Sequence, residues 1–401
     1  GSSAVDIWLD FIPDEGGAGE GVIEIHVDDG GEGMSGEIID SQLTTLFSSS
    51  KENDLTKIGK FGIGFVSVFA LRPRAVLVHT GRDGEYWEVF FDQDRSFFKS
   101  RLETPVEGTQ ITLFVAGDRA RYTELVAASR ETIDHWCRHS EAEISFEDRA
   151  SVDGELVQIN RPFAVEGLCP TSFEREGTQI VLAYSNTPAW GFYNKGLALA
   201  VVRGKTDLVP PRLAHIAFRI KSRYLEHTLT RDNVIRDQNY DKAMAIVAKL
   251  AATKLVAALF EALAEHTASL TATAAAPPPE RSDPLLRLLR ERAADFLTRE
   301  QAGELKLDPR LWQLPIIPRI GAPPCSLAEC RKQRGGWWLA PSPSPTCGAL
   351  HRDGQLVVAA GHRDTALQNL LILATGKSPQ LVESLCTATP ASAVEHVLDL
   401  V

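Results

Sequence analysis

The sequence predicts an α+β protein: helices laid on a mixed sheet, then a second α/β domain, then a smaller mixed domain. Three observations carry this expectation. Residues 5–11 (VDIWLDF) and 22–27 (VIEIHV) alternate apolar and polar side chains, the period of a half-buried strand. Residues 122–137 and 240–263 place apolar side chains at the spacing of one helix face. An Ala/Pro-rich run at 271–284 (TATAAAPPPERSDP) interrupts this globular pattern as a linker does.

Taken in order, the two alternating runs read as an antiparallel pair joined by a Gly-rich connection. Residues 28–35 (DDGGEGMS) follow, and Ser35 is placed to cap a short helix through Ile38, Ile39, Leu43 and Leu46. The polar run 48–57 reads as a mobile loop, and 58–71 (IGKFGIGFVSVFAL) as a second apolar helix opened by glycines. Strands are expected at 75–80, 85–92 and 110–115, the first two joined by the turn Gly81-Arg82-Asp83-Gly84. Asp153-Gly154 is expected to join two further short strands, with a domain boundary near Ala150. The runs EGTQITLFV (107–115) and EGTQIVLAY (176–184) nearly repeat; one pair is not a repeat array, and both read as a turn leading into a strand. The organisation expected is therefore 1–150, 151–270, the linker 271–284, and 285–401 with no motif.

Composition narrows the function classes. With 44% apolar and 24% charged residues in 401, the chain has globular usage and the length of two or three domains. A net charge of −11 argues against a nucleic-acid partner. Six scattered cysteines form no dense disulfide framework, which points to reduced thiols and a cytoplasmic setting. Lys249, Lys254 and Glu261 interrupt the longest apolar stretch, so it is expected to be amphipathic rather than membrane-spanning.

Either glycine cluster alone is explained by a tight turn. Together, an Asp before one cluster, a second cluster opening a helix, and a later Thr-bearing strand match the needs of an adenine nucleotide. A carboxylate accepts from the exocyclic amine, glycines admit close approach, and helix N-termini favour phosphate. The spacing D-x-G-x-G-M at Asp29, Gly31, Gly33 and Met34, followed by G-x-x-G-x-G-F at Gly59, Gly62, Gly64 and Phe65, resembles the GHKL ATPase superfamily. Within it the run IGKFGIGFVSVFAL is most similar to the ninety-kilodalton heat-shock chaperones.

The resemblance implies a Bergerat-type ATP-binding α/β sandwich over residues 1–150. In it Asp29 binds adenine directly and through a water, Gly33 and Met34 line the base, Gly62 and Gly64 admit the phosphates, Thr109 shares the adenine-bound water, and Gly31, Gly59, Ile63 and Phe65 of the same motifs complete the nucleotide-binding set. The lid lysine of the family falls at Ser48, so Lys51 substitutes only along a shifted lid path; otherwise it is a solvated loop lysine. The family's first motif, a helix bearing a Glu general base and a magnesium-binding Asn, has no counterpart after Gly1, and the expectation is a cut just after it. The second segment, with FYNKGLAL (192–199) and TLTRDNVIRDQNYDKAM (228–244), resembles the chaperone middle domain. That implies Arg231 as the catalytic arginine reaching the γ-phosphate; the alternative is a salt bridge to Asp232 or Asp237.

The implied cofactors are ATP or ADP with Mg2+. The implied function is an ATP-hydrolysing, chaperone-like protein in which nucleotide drives domain closure and the remodelling of client proteins, within a parent that can dimerise. Two rivals are a module that senses nucleotide without hydrolysis and a topoisomerase or mismatch-repair type of clamp. Outside the resemblance, Cys325, Cys330, Cys347 and His351 are weighed as zinc ligands against buried cysteines, and the loose C-x4-C spacing favours the latter. Trp337 and Trp338 are read as core or turn packing before partner binding.

Overall fold

The computed structural model describes residues 2–15, 19–43, 65–151, 154–204, 206–228, 233–272, 284–333, 335–361 and 363–382. The architecture is mixed α+β, with three sheets among these residues.

The first sheet begins with the expected antiparallel pair, β1 (Ala4–Pro13) and β2 (Glu20–Asp29). Ser35 caps the helix α1 (Gly36–Ile38) by accepting from the Ile38 N–H, and the chain continues as a π-helical turn at Ile39–Leu43. After a 3-10 helix at Phe65–Leu71 come β3 (Ala75–Arg82), β4 (Glu85–Asp92), β5 (Phe97–Arg101) and β6 (Thr109–Asp118). Helix α2 (Arg119–Cys137), β7 (Glu143–Asp148) and β8 (Val157–Gln158) complete the unit. The strand order is β5-β4-β3-β6-β2-β1-β7-β8, antiparallel except for the parallel β1–β7 pair.

Alternation divides this sheet into two faces. Leu9, Ile23, Ile25, Val76, Val78, Val89, Leu113 and Val115 gather on one, together with Ile39 of the π-helical turn and Tyr122 of α2. Tyr122 also fastens α2 to the sheet, its hydroxyl donating to Leu9 O at 3.0 Å and contacting the Asp148 carboxylate. The opposite face carries a stack in which Arg149 lies 4.0 Å above the Trp8 ring and Trp8 lies 4.6 Å from the His26 ring.

A second sheet follows, made of β9 (Leu168–Arg175), β10 (Thr178–Tyr184), β11 (Ala189–Asn194), β12 (Leu197–Arg203) and β13 (Ile216–Ser222), in the order β12-β11-β13-β10-β9. The apolar stretch expected as one helix is two, α3 (Gln238–Ala252) and α4 (Lys254–Ala272). The break falls at Thr253, whose backbone leaves the helical region (φ −125°, ψ −80°) while its hydroxyl donates to Lys249 O at 2.7 Å. The stretch Gln238–Ser269 is long and apolar enough to cross a membrane, and its most apolar part is 50% buried inside the fold.

The remainder consists of α5 (Pro284–Gln301), α6 (Leu327–Lys332), β14 (Trp337–Ala340), α7 (Pro345–Arg352), β15 (Leu356–Ala359), α8 (Thr365–Thr375) and β16 (Pro379–Leu381). Strand β14 is central, parallel to both β15 and β16. Trp337 is buried in the core, its indole N–H donating to Lys377 O at 3.0 Å. One apolar cluster runs continuously from Ile180 of the second sheet through α3 and α4 to α5, α6, β14 and α8. Most of the linker expected at 271–284 lies outside the described residues.

Candidate functional site

Three polar side chains stand abreast where β2, β6 and β3 end. Asp29 pairs with Thr109 across β2 and β6, and Thr109 pairs with Thr80 across β6 and β3. By alternation all three share the face of Ile25, Leu113 and Val78, the side covered by helices. The adjacent carboxylate, Asp28, points the other way, and burial raises its pKa above the usual carboxylate value.

Thr80 is fully buried and ties the row together. Its hydroxyl donates to Gly108 O at 3.0 Å, accepts from the Met34 N–H at 2.9 Å, and lies 3.1 Å from Thr109 Oγ1. A hydroxyl has one proton. With the Thr80 proton on Gly108 O, Thr109 is the donor of their shared bond, and the Thr109 oxygen keeps its lone pairs for accepting. On the neighbouring strand Asp29 Oδ1 accepts from the Gly31 N–H at 2.8 Å, which fixes the carboxylate and leaves Oδ2 for another donor.

The backbone around this row is packed too closely for side chains. A Cβ on Gly108, whose φ is +65°, would lie 1.8 Å from Asp29 O, and one on Gly33 would lie 1.9 Å from Gly81 O. The D-x-G-x-G-M run thus lies directly against the β3 and β6 ends, and its glycines are the residues that permit it.

Helix α1 is held beside the row by the β4–β5 edge. Lys99 Nζ contacts both Asp40 oxygens at 2.6 and 2.7 Å and lies 4.8 Å from the Trp87 ring centre. Arg82, at the end of β3, pairs with Glu32 at 3.5 Å. Farther along the same face, Phe65 packs on Phe91 with ring centres 5.1 Å apart.

Of the residues expected to bind nucleotide, Asp29, Gly31, Gly33, Met34 and Thr109 are therefore brought together, and Phe65 lies in the adjoining aromatic cluster. Lys51, Gly59, Gly62, Ile63, Gly64 and Arg231 lie outside the described residues. Thr80 was missed. No motif marks it, and the one available signal was its position at the end of the strand expected to pair beside Thr109.

The cysteines weighed as zinc ligands separate. Cys325 and Cys330 are neighbours, whereas Cys347 packs with Ala340, Val357 and Val382 in another cluster. Among the described residues no group of three or more His, Cys, Asp or Glu side chains is placed to hold a metal ion. No protein-family model and no curated protein matches this chain.

Proposed function

We propose that residues 1–150 form a Bergerat-type site for an adenine nucleotide, and that the protein is chaperone-like, with ATP driving closure of this unit on the second. The observation that supports the reading best is the row Asp29–Thr109–Thr80 beneath the close-packed D-x-G-x-G-M backbone. A carboxylate with one oxygen committed to Gly31 and one available suits the exocyclic amine of adenine, and the Thr109 lone pairs suit a water bridging to the ring. Guanine presents a carbonyl where adenine presents the amine, so the same carboxylate rejects it. Mg2+ would accompany the phosphates; no described residue is assigned to it. Arg231 is proposed to act on the γ-phosphate from the second unit.

Isothermal titration of this chain with ADP, ATP and GDP tests the proposal. Saturable binding of the adenine nucleotides and not of GDP is expected. Asp29→Asn should weaken ADP by about tenfold or more, equivalent to about 1.4 kcal/mol. Equal affinity for ADP and GDP, or an Asp29→Asn variant that binds as tightly as the parent, removes the adenine assignment.

A further inference from the structure

The motif that the proposed function leaves unused is the Cys325-x4-Cys330 pair. Cys325 sits in an antiparallel bridge with Ile317, the two exchanging backbone hydrogen bonds at 2.9 and 3.0 Å. Ser326 then caps α6 through a reciprocal capping box with Glu329, which turns the chain back sharply. The first turn of α6 closes by a bond from Cys330 N to Ser326 O at 3.0 Å. Bridge, cap and turn together bring the second thiol over the first, with their sulfurs 3.5 Å apart. Each residue is 2% exposed. A disulfide needs the sulfurs roughly 1.5 Å closer.

The two thiols are not equivalent. Hydrogen bonding from Cys330 lowers the pKa of Cys325 against the opposing effect of burial, and the Arg319 guanidinium adds to the lowering. Cys330 is pushed well above the usual thiol range, first by that same bond and then by burial. These directions favour Cys325 as the attacking thiolate and Cys330 as the resolving sulfur.

We propose that Cys325 and Cys330 form a two-electron redox site that closes to an internal disulfide when a small hydroperoxide accepts the electrons. Cys325, having lost its proton, attacks one peroxide oxygen. The O–O bond breaks and the departing hydroxide takes up a proton as water, leaving a sulfenic acid on Cys325. The Cys330 sulfur then attacks the Cys325 sulfur, the S–O bond breaks, and the second oxygen leaves as water with the Cys330 proton. Two thiols and one hydrogen peroxide give one disulfide and two waters. The burial of both sulfurs selects for an oxidant of this size over bulky thiol reagents.

The test treats the folded chain with hydrogen peroxide, blocks remaining thiols with iodoacetamide in denaturant, and maps tryptic peptides by mass spectrometry. Cys325 and Cys330 fall in one peptide, residues 320–331. The expected product is that peptide lighter by two hydrogens than the reduced form and carrying no alkyl group. In Cys330→Ser a sulfenic acid at Cys325 should be trapped by dimedone added together with the denaturant, whereas in Cys325→Ser the Cys330 thiol should stay reduced. The proposal is overturned if both cysteines alkylate fully after peroxide, if oxidation links either one to Cys347 or Cys386 instead, or if the two Ser variants respond alike.

Discussion

Thr109 Oγ1 lies 3.1 Å from Thr80 Oγ1 across the β3–β6 pair, and the same local sequence builds the same contact a second time. In the near-repeat EGTQI, Thr178 Oγ1 lies 2.8 Å from Ser222 Oγ across β10 and β13. Only the first instance has a carboxylate, Asp29, on the next strand. The motif is thus a way of entering a strand, and its neighbour makes it a candidate site.

Thr80→Val should unfold more easily in urea, by about 1–3 kcal/mol, because the Met34 N–H and Gly108 O lose the hydroxyl that pairs them in a dry position. Thr109→Val should cost about 1 kcal/mol or less in stability, since it removes one bond at a half-buried site. Nucleotide affinity should fall for both. Unchanged urea midpoints for Thr80→Val would show that the hydroxyl does not hold the row.

Gly108→Ala should be far worse than Gly84→Ala, although both glycines have positive φ (+65° and +81°). At Gly84 a new Cβ meets nothing within 4 Å, so the cost is the left-handed backbone alone, about 1–2 kcal/mol. At Gly108 the methyl collides with Asp29 O, adding displacement of two strand ends, and the loss should exceed about 3 kcal/mol. Comparable midpoints in parallel denaturant titrations would contradict the packing described.

His139 joins the first unit to the second sheet, and it should make stability depend on pH. Its Nδ1–H donates to Arg161 O at 3.1 Å and its Nε2 accepts from Arg219 Nη1 at 2.9 Å, an arrangement that requires the neutral ring. Burial, with Arg219, Arg138 and Lys221 nearby, lowers its pKa from 6.5 to about 4, although the Arg161 carbonyl opposes the shift. A depressed histidine pKa means that the unfolded chain takes up the proton first. The contribution is complete above pH 6.5 and is lost as pH falls toward 4, by up to roughly 3 kcal/mol. His139→Gln should flatten that slope in thermal melts run across the interval; an equal slope in both proteins would exclude His139 as its source.

Asp364 pairs with Arg290, which is 3% exposed, and also caps α8 by accepting from the Leu367 N–H at 3.1 Å. Asp364→Ala therefore removes a cap and deprives a buried guanidinium of its carboxylate, with an expected loss of about 3–5 kcal/mol. The double variant Arg290→Met/Asp364→Leu should recover part of this. A double variant no better than Asp364→Ala would indicate that the cap, not the charge, dominates.

Strands with one wet face were legible because alternation is a strong signal, and Ser35 was legible because capping chemistry is local. Edge strand β5 was not: FFKSR opens with adjacent apolar residues, and Phe98 is 67% exposed. The split at Thr253 is one non-helical residue inside a continuous apolar pattern, which helical periodicity does not register. At the site, Asp29, Gly31 and Gly33 were readable as spacing. Thr80 is instead a consequence of register, which a sequence reveals only once the strands are paired.

The continuity of the apolar cluster across the Ala/Pro-rich run bears on what happens when the backbone is cut. Leu259, Phe260 and Leu263 of α4 share one core with Leu289, Ala293 and Phe296 of α5. A protease site placed among residues 273–283 would sever the peptide without releasing its halves. The two fragments should co-elute in native buffer and part only in denaturant, held by side chains that the nick leaves untouched.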